Sequence, residues 1–588
     1  MPTNQDLAAI FEQISHLLEL TGADKFRVNA HARAARAIAD CSTDLMSIAH
    51  DRAALMAIDG IGPRIADKIR EFAETGSIKE HQDLLKEVPS GLLEVLAVPG
   101  LGPKTVRVLW KEKQVKSLDD LKRIIADGSI MELPRMGEKT VQNIRESISF
   151  MEQSSGRMPL GMAMPIAESV LERLRAVKGV HAADFAGSLR RGRETIGDLD
   201  FVAASDDPKS VHAVFTAMPE VEKVLASGES KCSVRLKVQG RRIQADLRVV
   251  PPESYGAALL YFTGSKEHNV RLRGRALRMG LTLNEYGLFP LDDAPTPPQA
   301  RGVRAVAGKT EESVYQHLGL SVVPPELRED RGEVSDGWQP PKLVELKLIR
   351  AELHAHTSAS DGTLSIDQLA EMAEKRGFHT IAVTDHSQSS TLANGLKPER
   401  LRAHIRSIRE AAERHKRITI LAGAEVDIHA DGTLDYDDEL LAELDIVVAS
   451  PHASLRQDPA LATRRLVAAV SHPLVHMLGH ATGRLLGRRE GLHPDIKAVA
   501  EAAAAHRTAL EVNANWLRLD LCDVHVRTAL EAGGENALIA IDCDVHHPAD
   551  FDQLRFGVMT ARRGGLPADR CVNCWTARKL HAWLKSKR

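Results

Sequence analysis

The sequence predicts a multidomain α+β protein, and three features of its pattern predict this class. The first 150 residues carry apolar residues at helical spacing, as in the stretch from Asn4 to Gly22. Residues 233–250 instead read as two strands joined by a Gln239-Gly240 turn, so a sheet follows the helices. Beyond residue 349, short apolar strands alternate with helical segments, which is typical of βα units. A chain of 588 residues is too long for one core, which agrees with several domains.

Composition and charge limit the function classes. Apolar residues make up 43% of the chain and the net charge is −3, so overall charge gives no support for nucleic-acid binding. The six cysteines are scattered. We find no signal-peptide pattern and no apolar run near the length of a membrane span. These observations predict a reduced, cytoplasmic protein that does not bind membranes.

Two stretches of the helical region repeat one pattern. "IDGIGPRIADKI" and "VPGLGPKTVRVL" each contain Gly-x-Gly, Pro, a basic residue and an amphipathic helix, whereas a third copy has Arg135 in place of its first glycine. Such turns let backbone N–H groups approach an anion, and the pattern resembles the helix–hairpin–helix motif. We expect contact with DNA phosphates; a turn that serves only helix packing is the alternative. The expected DNA-binding residues are Gly60, Gly62, Arg64, Gly100, Gly102 and Lys104.

Three aspartates are predicted to converge on the sheet. Asp198 and Asp200 are two residues apart on one strand and so share a face, and Asp246 on another strand can join them. Close carboxylates repel unless a cation lies between them, and hard divalent cations prefer oxygen ligands. A pair of magnesium ions held in this way suits in-line phosphoryl transfer. An exposed strand face beside arginines is the alternative.

Histidines and carboxylates recur at predicted strand ends after residue 350. Of the 25 histidines, 17 lie after residue 350. Mixed imidazole and carboxylate ligands at the carboxyl ends of barrel strands suit zinc or manganese. The expected metal ligands are His354, His356, Asp361, His386, Glu425, His452, His480, Asp544 and His546.

The string "GSLRRGRETIGDLD" resembles the nucleotidyltransferase signature of family X DNA polymerases, and it matches throughout. The resemblance implies that Ser188, Arg191 and Gly197 contact an incoming deoxynucleoside triphosphate. It also implies that the three aspartates hold two Mg²⁺ or Mn²⁺ ions, and that Asp246 accepts the proton of the primer 3′-hydroxyl.

A second string, "YFTGSKEHNVRLR", resembles the nucleotide-selecting thumb segment of that family. By this resemblance Tyr261, Phe262 and Gly264 contact the sugar side of the nucleotide, Asn269 reads the base edge, and Arg273 contacts the template strand. A helix start with buried aromatic residues would look similar.

Lys68 occupies the position that forms a Schiff base with an abasic sugar in animal relatives. An amine nucleophile needs a lowered pKa, which the nearby cations Arg64 and Arg27 would favour. A lysine that contacts phosphate is the alternative, and it is the preferred interpretation.

The histidine-rich region resembles the PHP domain, a distorted (β/α)7 barrel with a trinuclear metal centre. By analogy His354, His356, Glu425 and Asp544 hold one ion. Glu425 with His452 and His480 holds a second ion, and Asp361, His386 and His546 hold a third. Two or three Zn²⁺ or Mn²⁺ ions are therefore expected.

The whole chain resembles bacterial family X DNA polymerase with a C-terminal PHP domain. This resemblance implies a repair enzyme that fills short gaps in DNA and whose PHP domain is a 3′–5′ exonuclease, with AP endonuclease or 3′-phosphatase action as additional candidate activities. We expect a monomer. Two alternatives remain: a polymerase fused to a small-molecule phosphatase, and a DNA-end-binding scaffold with vestigial catalysis. The expected segments are a helical lyase-like segment (1–84), helix–hairpin–helix fingers (85–158), the palm (159–253), the thumb (254–325), a linker (326–348) and the PHP segment (349–588).

Overall fold

The structure is a computed structural model that describes residues 4–39, 45–58, 60–96, 98, 101–134, 136–154 and 157–587. The chain forms two compact units: residues up to 155 together with 487–490, and the remainder. No helix of the described residues has both the length and the apolar character needed to cross a bilayer.

The first unit is helical, as predicted. Its amphipathic helices bury their apolar faces in one shared core, which includes Phe11 of the first helix and Leu121 near the end of the unit. The described helices are α1 (Asn4–Thr21), α2 (Lys25–Ala39), α3 (Leu45–Ile48), α4 (Arg52–Met56), α5 (Pro63–Thr75), α6 (Lys79–Glu87), α7 (Gly91–Leu96), α8 (Pro103–Lys113), α9 (Leu118–Ala126) and α10 (Glu138–Ser154).

The palm segment contains a five-stranded sheet in the order β2-β4-β7-β6-β5. The predicted turn joins β6 to β7, and both Gln239 and Gly240 have positive φ, which such a tight hairpin requires. Only β4 and β7 run parallel to each other in this sheet. The elements are β1 (Met158–Pro159), α11 (Leu160–Arg175), β2 (Val180–Phe185), α12 (Gly187–Arg190), β3 (Thr195–Ile196), β4 (Asp198–Ser205), α13 (Pro208–Thr216), β5 (Val221–Ser227), β6 (Lys231–Val238) and β7 (Arg241–Val250).

The thumb segment packs two helices and a small hairpin around buried Tyr315. Its elements are α14 (Tyr255–Thr263), α15 (Lys266–Arg278), β8 (Leu281–Asn284), β9 (Gly287–Pro290) and α16 (Glu311–His317). The expected linker that follows is not a loose spacer. Arg328 and Glu333 in it are almost fully buried, and Arg328 Nη1 lies 2.6 Å from Glu311 Oε1 of α16. The proline and charge content of this segment predicts a loop, but Arg328 and Glu333 are paired inside the fold with Glu311 and His268.

The PHP segment is a nearly closed barrel of seven parallel strands in sequential order, as predicted. A bridge between Ala355 and Val545 joins the segments that follow the first and last strands. The elements are β10 (Ala351–Glu352), α17 (Ile366–Lys375), β11 (Thr380–Val383), α18 (Pro398–Arg414), β12 (Thr419–Asp427), α19 (Asp438–Leu441), β13 (Ile446–Ser450), α20 (Pro459–Ser471), β14 (Met477–Leu478), α21 (Ile496–His506), β15 (Ala509–Asn513), α22 (Asp523–Gly533), β16 (Ile539–Asp542), α23 (Leu554–Arg563) and α24 (Ala577–Lys585).

Candidate active sites

The three predicted aspartates share one face of the palm sheet. Asp198 and Asp200 lie at the start of β4, and the parallel register places Asp200 directly beside Asp246 of β7. Burial raises the pKa of Asp200 to about 7, and the charges of Asp198 and Asp246 add to this shift. Carboxylates crowded to this degree suit divalent cations, because a cation removes the repulsion that otherwise favours a bound proton.

Asp246 already has a cationic neighbour. Its Oδ2 lies 2.9 Å from Lys231 Nζ, and Gln244 donates a hydrogen bond of 3.0 Å to its Oδ1. Burial alone would raise the pKa of Asp246, but these contacts and one from Ser233 hold it below its ordinary value. Asp246 is therefore the more readily ionised member of this pair at neutral pH.

The first glycine of the polymerase-like signature is explained by the position of Asp200. Gly187 has a φ of +58°, and a Cβ added there would lie 2.1 Å from Asp200 Oδ2. The next residue, Ser188, has a buried Oγ without a hydrogen-bond partner among the described residues. Buried hydroxyl groups are nearly always paired, so this atom is suited to a ligand oxygen.

A pocket of about 650 Å³ lies beside the aspartates, between the palm and the thumb. In it, Asn269 Nδ2 donates a 2.7 Å hydrogen bond to the carbonyl of Tyr261. Two predicted residues, Gly197 and Asp246, are absent from the described lining. The pocket is lined by Arg157, Gly187, Ser188, Arg191, Arg193, Asp198, Asp200, Tyr261, Phe262, Gly264, Ser265, Lys266, Glu267, Asn269, Arg273 and Glu329.

Two of the repeated glycine turns of the first unit precede helices, as their pattern predicts. Gly62 and Gly102 cap α5 and α8, each followed by a proline, and a Cβ at either position would meet nothing within 4 Å. The basic residues Arg64 and Lys104 are exposed on the first turn of these helices. Gly60 has the positive φ of a tight turn. Gly100 and Arg135 lie outside the described residues.

Lys68 is held by a carboxylate that the sequence analysis missed. Its Nζ lies 2.8 Å from Glu80 Oε2, and Arg27 Nη2 lies 2.7 Å from the other oxygen of Glu80. His31, whose Nε2 lies 3.2 Å from Glu80 Oε2, is the largest of the influences that keep the pKa of Glu80 far below its ordinary value. The expected cationic surroundings of Lys68 are thus offset by an anion, and Glu80 would have to release Lys68 before its amine could attack a sugar.

All nine predicted metal ligands of the PHP segment meet at one end of the barrel. Their potential ligand atoms form four overlapping sets, within each of which the atoms lie within 4.8 Å of one another. The sets are His356, Asp361, His386 and His546; His354, Glu425 and His480; His354, His356 and Asp544; and His386, Glu425 and His452. This grouping differs from the expected one, since His356 also joins the Asp361 set and His386 also joins the Glu425 set.

Glu425 lies at the centre of this cluster. Its Oε1 is 2.8 Å from His480 Nε2, and its Oε2 is 2.8 Å from His386 Nδ1. Burial would raise the pKa of Glu425, but the neighbouring imidazoles hold it well below the ordinary value. Both of its oxygens are buried without a hydrogen bond of good geometry among the described residues, as are His354 Nε2 and Asp544 Oδ1. Buried atoms of these types fit metal coordination.

Residues behind the ligands orient them. Glu511 of β15 accepts a hydrogen bond from His354 Nδ1 at 2.7 Å and another from the backbone N–H of His480 at 2.5 Å. Asp427 pairs with His452 Nδ1 at 2.8 Å. Carboxylates that hold ligating histidines in this way fix the ring orientation. Neither residue is among the predicted site residues, although each lies on an apolar strand, where a buried carboxylate is an unusual signal.

Comparisons with known proteins agree with this description. The DNA polymerase beta thumb family matches residues 258–329, a helix-hairpin-helix domain matches residues 2–78, a SAM-like helix-hairpin-helix tandem matches residues 92–149, and the PHP domain matches residues 352–515. The chain is 36% identical over 583 residues to DNA polymerase/3′-5′ exonuclease PolX of Bacillus subtilis (strain 168). The aligned residues cover 99% of each of the two chains.

Two other relatives match shorter stretches of the chain. DNA polymerase lambda of Rattus norvegicus is 27% identical over 327 residues, which is 52% of this chain and 53% of that protein. The probable phosphatase YcdX of Shigella dysenteriae is 28% identical over 248 residues, which is 40% of this chain and 94% of that protein.

Proposed function

The chain belongs to the family X DNA polymerases that carry a C-terminal PHP domain, and we propose that it fills short gaps in DNA during repair. It is a DNA-directed DNA polymerase whose PHP domain is a metal-dependent 3′–5′ exonuclease. The observation that carries the polymerase assignment is a set of three aspartates on one sheet face: Asp198 and Asp200 line an arginine-rich pocket, and Asp246 lies directly beside Asp200. Gapped or nicked duplex DNA and deoxynucleoside triphosphates are the proposed substrates, and the cytoplasm is the proposed location.

At the polymerase site, the residues have distinct roles. Ser188 and Arg191 bind the triphosphate, Tyr261 and Phe262 pack against the sugar, and Asn269 contacts the base edge. Gly197 gives the triphosphate close access to the backbone, Gly264 leaves room for the sugar, and Arg273 contacts the template. Asp198, Asp200 and Asp246 would hold two Mg²⁺ or Mn²⁺ ions, which supply positive charge to the reacting phosphate groups. Asp246 accepts the proton of the primer 3′-hydroxyl, whose oxygen attacks the α-phosphorus as pyrophosphate leaves.

At the PHP site, the nine ligands would hold two or three Zn²⁺ or Mn²⁺ ions. Such ions supply a nucleophilic water at neutral pH and offset charge on a phosphodiester. Glu511 and Asp427 orient the ligating imidazoles. The two sites are compatible, since one removes a nucleotide from a 3′ end and the other extends that end.

A second candidate for the PHP site is hydrolysis of phosphate monoesters, because the chain is similar to the probable phosphatase YcdX over 248 residues, about the length of the PHP segment. AP endonuclease and 3′-phosphatase activities fit the same chemistry. A scaffold with vestigial catalysis is disfavoured, since both ligand sets are complete.

Separate substitutions test the two assignments. With Mn²⁺ and a one-nucleotide gapped duplex, Asp200→Ala is expected to abolish extension and spare degradation of a 3′-labelled oligonucleotide, and His354→Ala is expected to do the reverse. A phosphate monoester offered in parallel distinguishes the phosphatase alternative. Asp206→Ala and His472→Ala, which change groups outside both sites, are the matched controls. Loss of both activities in either site variant would contradict two separate centres.

In the first unit, we propose that the helix N-termini after Gly62 and Gly102 bind DNA phosphates, with Gly60, Gly100, Arg64 and Lys104 in support. For Lys68 we propose phosphate contact rather than lyase chemistry, because Glu80 occupies its amine. Borohydride trapping on abasic DNA tests this: a covalent adduct that Lys68→Ala removes would overturn it.

A further inference from the structure

The palm loop that carries Arg191 is held from the PHP domain. Arg563, at the end of α23, donates through Nη1 to the backbone carbonyl of Arg191 at 2.7 Å. The same nitrogen lies 3.0 Å from Glu329 Oε1, and that oxygen also accepts from Arg191 Nε at 3.0 Å. Arg191 Nη1 in turn donates to the Thr263 carbonyl at 2.5 Å. Arg191 is thus fixed by contacts from three segments of the chain.

Arg563 is itself firmly anchored. Its side chain is 2% exposed, and its Nη2 lies 2.9 Å from Asp523 Oδ2 of α22. Gly192, next to Arg191, allows the close approach, because a Cβ there would lie 3.2 Å from Met559 Cβ of α23 in a backbone conformation with a φ of +66°. A rigid element of the PHP domain therefore supports this part of the palm.

The negative charge of Glu329 explains why the contact from Arg563 is needed. It lines the same pocket as Arg191, so an uncompensated carboxylate there would repel a triphosphate. Burial would raise the pKa of Glu329, but Arg563 and Arg191 hold it below its ordinary value. Arg563 thus offsets the charge of Glu329. As a result, that carboxylate neutralises less of the positive charge of Arg191.

A second contact holds the same loop. Glu194 Oε2 lies 2.7 Å from Arg484 Nη2, and Arg484 follows the PHP metal ligand His480 by four residues. Arg484 Nε is fixed by the carbonyl of Arg518 at 2.9 Å. The segment between Arg191 and Asp198 is thus braced at two points by the PHP domain.

We propose that Arg563 is a positioning residue of the polymerase site: it orients Arg191 and neutralises Glu329, so that the PHP domain sets the affinity of the polymerase for its deoxynucleoside triphosphate. The inference rests on the proposed function of Arg191 in triphosphate binding. It assigns to a residue of the nuclease domain a role in nucleotide incorporation that is separate from nuclease chemistry.

Steady-state incorporation on a one-nucleotide gap by the full-length protein tests the proposal. Arg563→Ala is expected to raise the KM for the deoxynucleoside triphosphate about tenfold or more and to change kcat by less than about threefold, since buried charge-assisted contacts of this kind have that magnitude. Exonuclease activity is expected to stay unchanged. Arg562→Ala is the matched control, because Arg562 lies on the same helix but pairs with Glu326; its KM should match that of the wild type.

Two further variants separate positioning from loss of folding. Arg563→Lys, which keeps the charge, is expected to have a KM between those of Arg563→Ala and the wild type. Glu329→Gln combined with Arg563→Ala is expected to have a lower KM than Arg563→Ala alone, because the repelling carboxylate is gone. A fall of kcat and exonuclease activity by the same factor in Arg563→Ala would overturn the proposal, as would an unchanged KM.

Arg191→Ala distinguishes failure of this inference from failure of the proposed function. If Arg191→Ala raises KM and Arg563→Ala does not, the positioning role is wrong. If Arg191→Ala leaves KM unchanged, the triphosphate assignment itself is wrong, and the inference falls with it.

Discussion

At the scale of the residue, the surroundings of Ser188 agree with its proposed role in binding a ligand. Its hydroxyl is buried in the pocket wall and has no hydrogen-bond partner among the described residues. An unpaired buried hydroxyl costs stability in the free protein, and a phosphate oxygen would recover that cost. Gly187 beside it is small because Asp200 fills the space where a side chain would start. Both residues are thus explained by the site and not by the core.

Ser188→Ala is therefore expected to separate binding from stability. The KM for the deoxynucleoside triphosphate should rise about tenfold, because a hydrogen bond to a charged group contributes about 1.5–3 kcal/mol. The midpoint of urea unfolding should stay the same or rise, since no described intramolecular partner is lost. Ser254→Ala, at a buried serine outside the described pocket lining, is the control and should leave the KM unchanged. A Ser188→Ala enzyme with wild-type KM would show that this hydroxyl does not contact substrate.

At the scale of the element, α16 links the thumb to the palm through one carboxylate. Glu311 accepts from Arg190 of α12 at 2.7 Å and from the fully buried Arg328 at 2.6 Å. Burial would raise the pKa of Glu311, but the two arginines outweigh it and lower the pKa to about 2. Because the pKa of the folded state lies below the ordinary 4.5, Glu311 contributes stability that is fully present above about pH 4.5. That contribution is lost as the pH falls towards 2.

Glu311→Gln is expected to show this dependence. The difference between a pKa of about 2 and the ordinary 4.5 corresponds to about 3 kcal/mol of folding stability at neutral pH. The side chain is only 10% exposed, so solvent screens this contribution little. At pH 7 the variant should be less stable than the wild type by that amount. As the pH falls from 4.5 to 2.5, the free energy of unfolding should decrease less in the variant than in the wild type. Chemical denaturation followed by circular dichroism at several pH values measures both effects. Glu312→Gln, at an exposed neighbour, is the control. Parallel pH profiles for Glu311→Gln and the wild type would contradict this role.

The elements that carry the sites could be predicted from sequence because their signals are local. Asp198 and Asp200 share a face by strand alternation alone, and the predicted PHP ligands follow short apolar strands that the sequence pattern indicates. Glu329 gives no such signal, because its partner Arg191 lies 138 residues away. Proline and charge content predict a linker over 326–348, but they cannot reveal that Arg328 is buried against Glu311, 17 residues earlier in the chain.

At the scale of the whole molecule, the palm and the PHP barrel share a hydrophobic core. Leu519 and Phe556 of the PHP domain are buried in one cluster with Leu199 and Phe201 of the palm strand that carries the aspartates. Gly161 of α11 accommodates Trp516, since a Cβ there would lie 2.2 Å from the indole Cγ. No local sequence pattern predicts contacts between these two domains, because they join residues far apart in the chain. Arg563 and Arg191, for example, are 372 positions apart. We therefore expect the chemistry at the two sites to be separable and the stability of the two domains to be shared.

Phe556→Ala tests this shared stability. Removal of a buried aromatic ring from a core costs about 3–5 kcal/mol, and here the cavity opens between the two domains. We expect polymerase and exonuclease activities to be lost together on heating, both at a lower temperature than in the wild type, when the two are assayed on the same heated samples. Val524→Ala, at an exposed position of α22, should leave both inactivation temperatures unchanged. Earlier loss of exonuclease activity while polymerase inactivation stays at the wild-type temperature would mean that the two domains unfold separately.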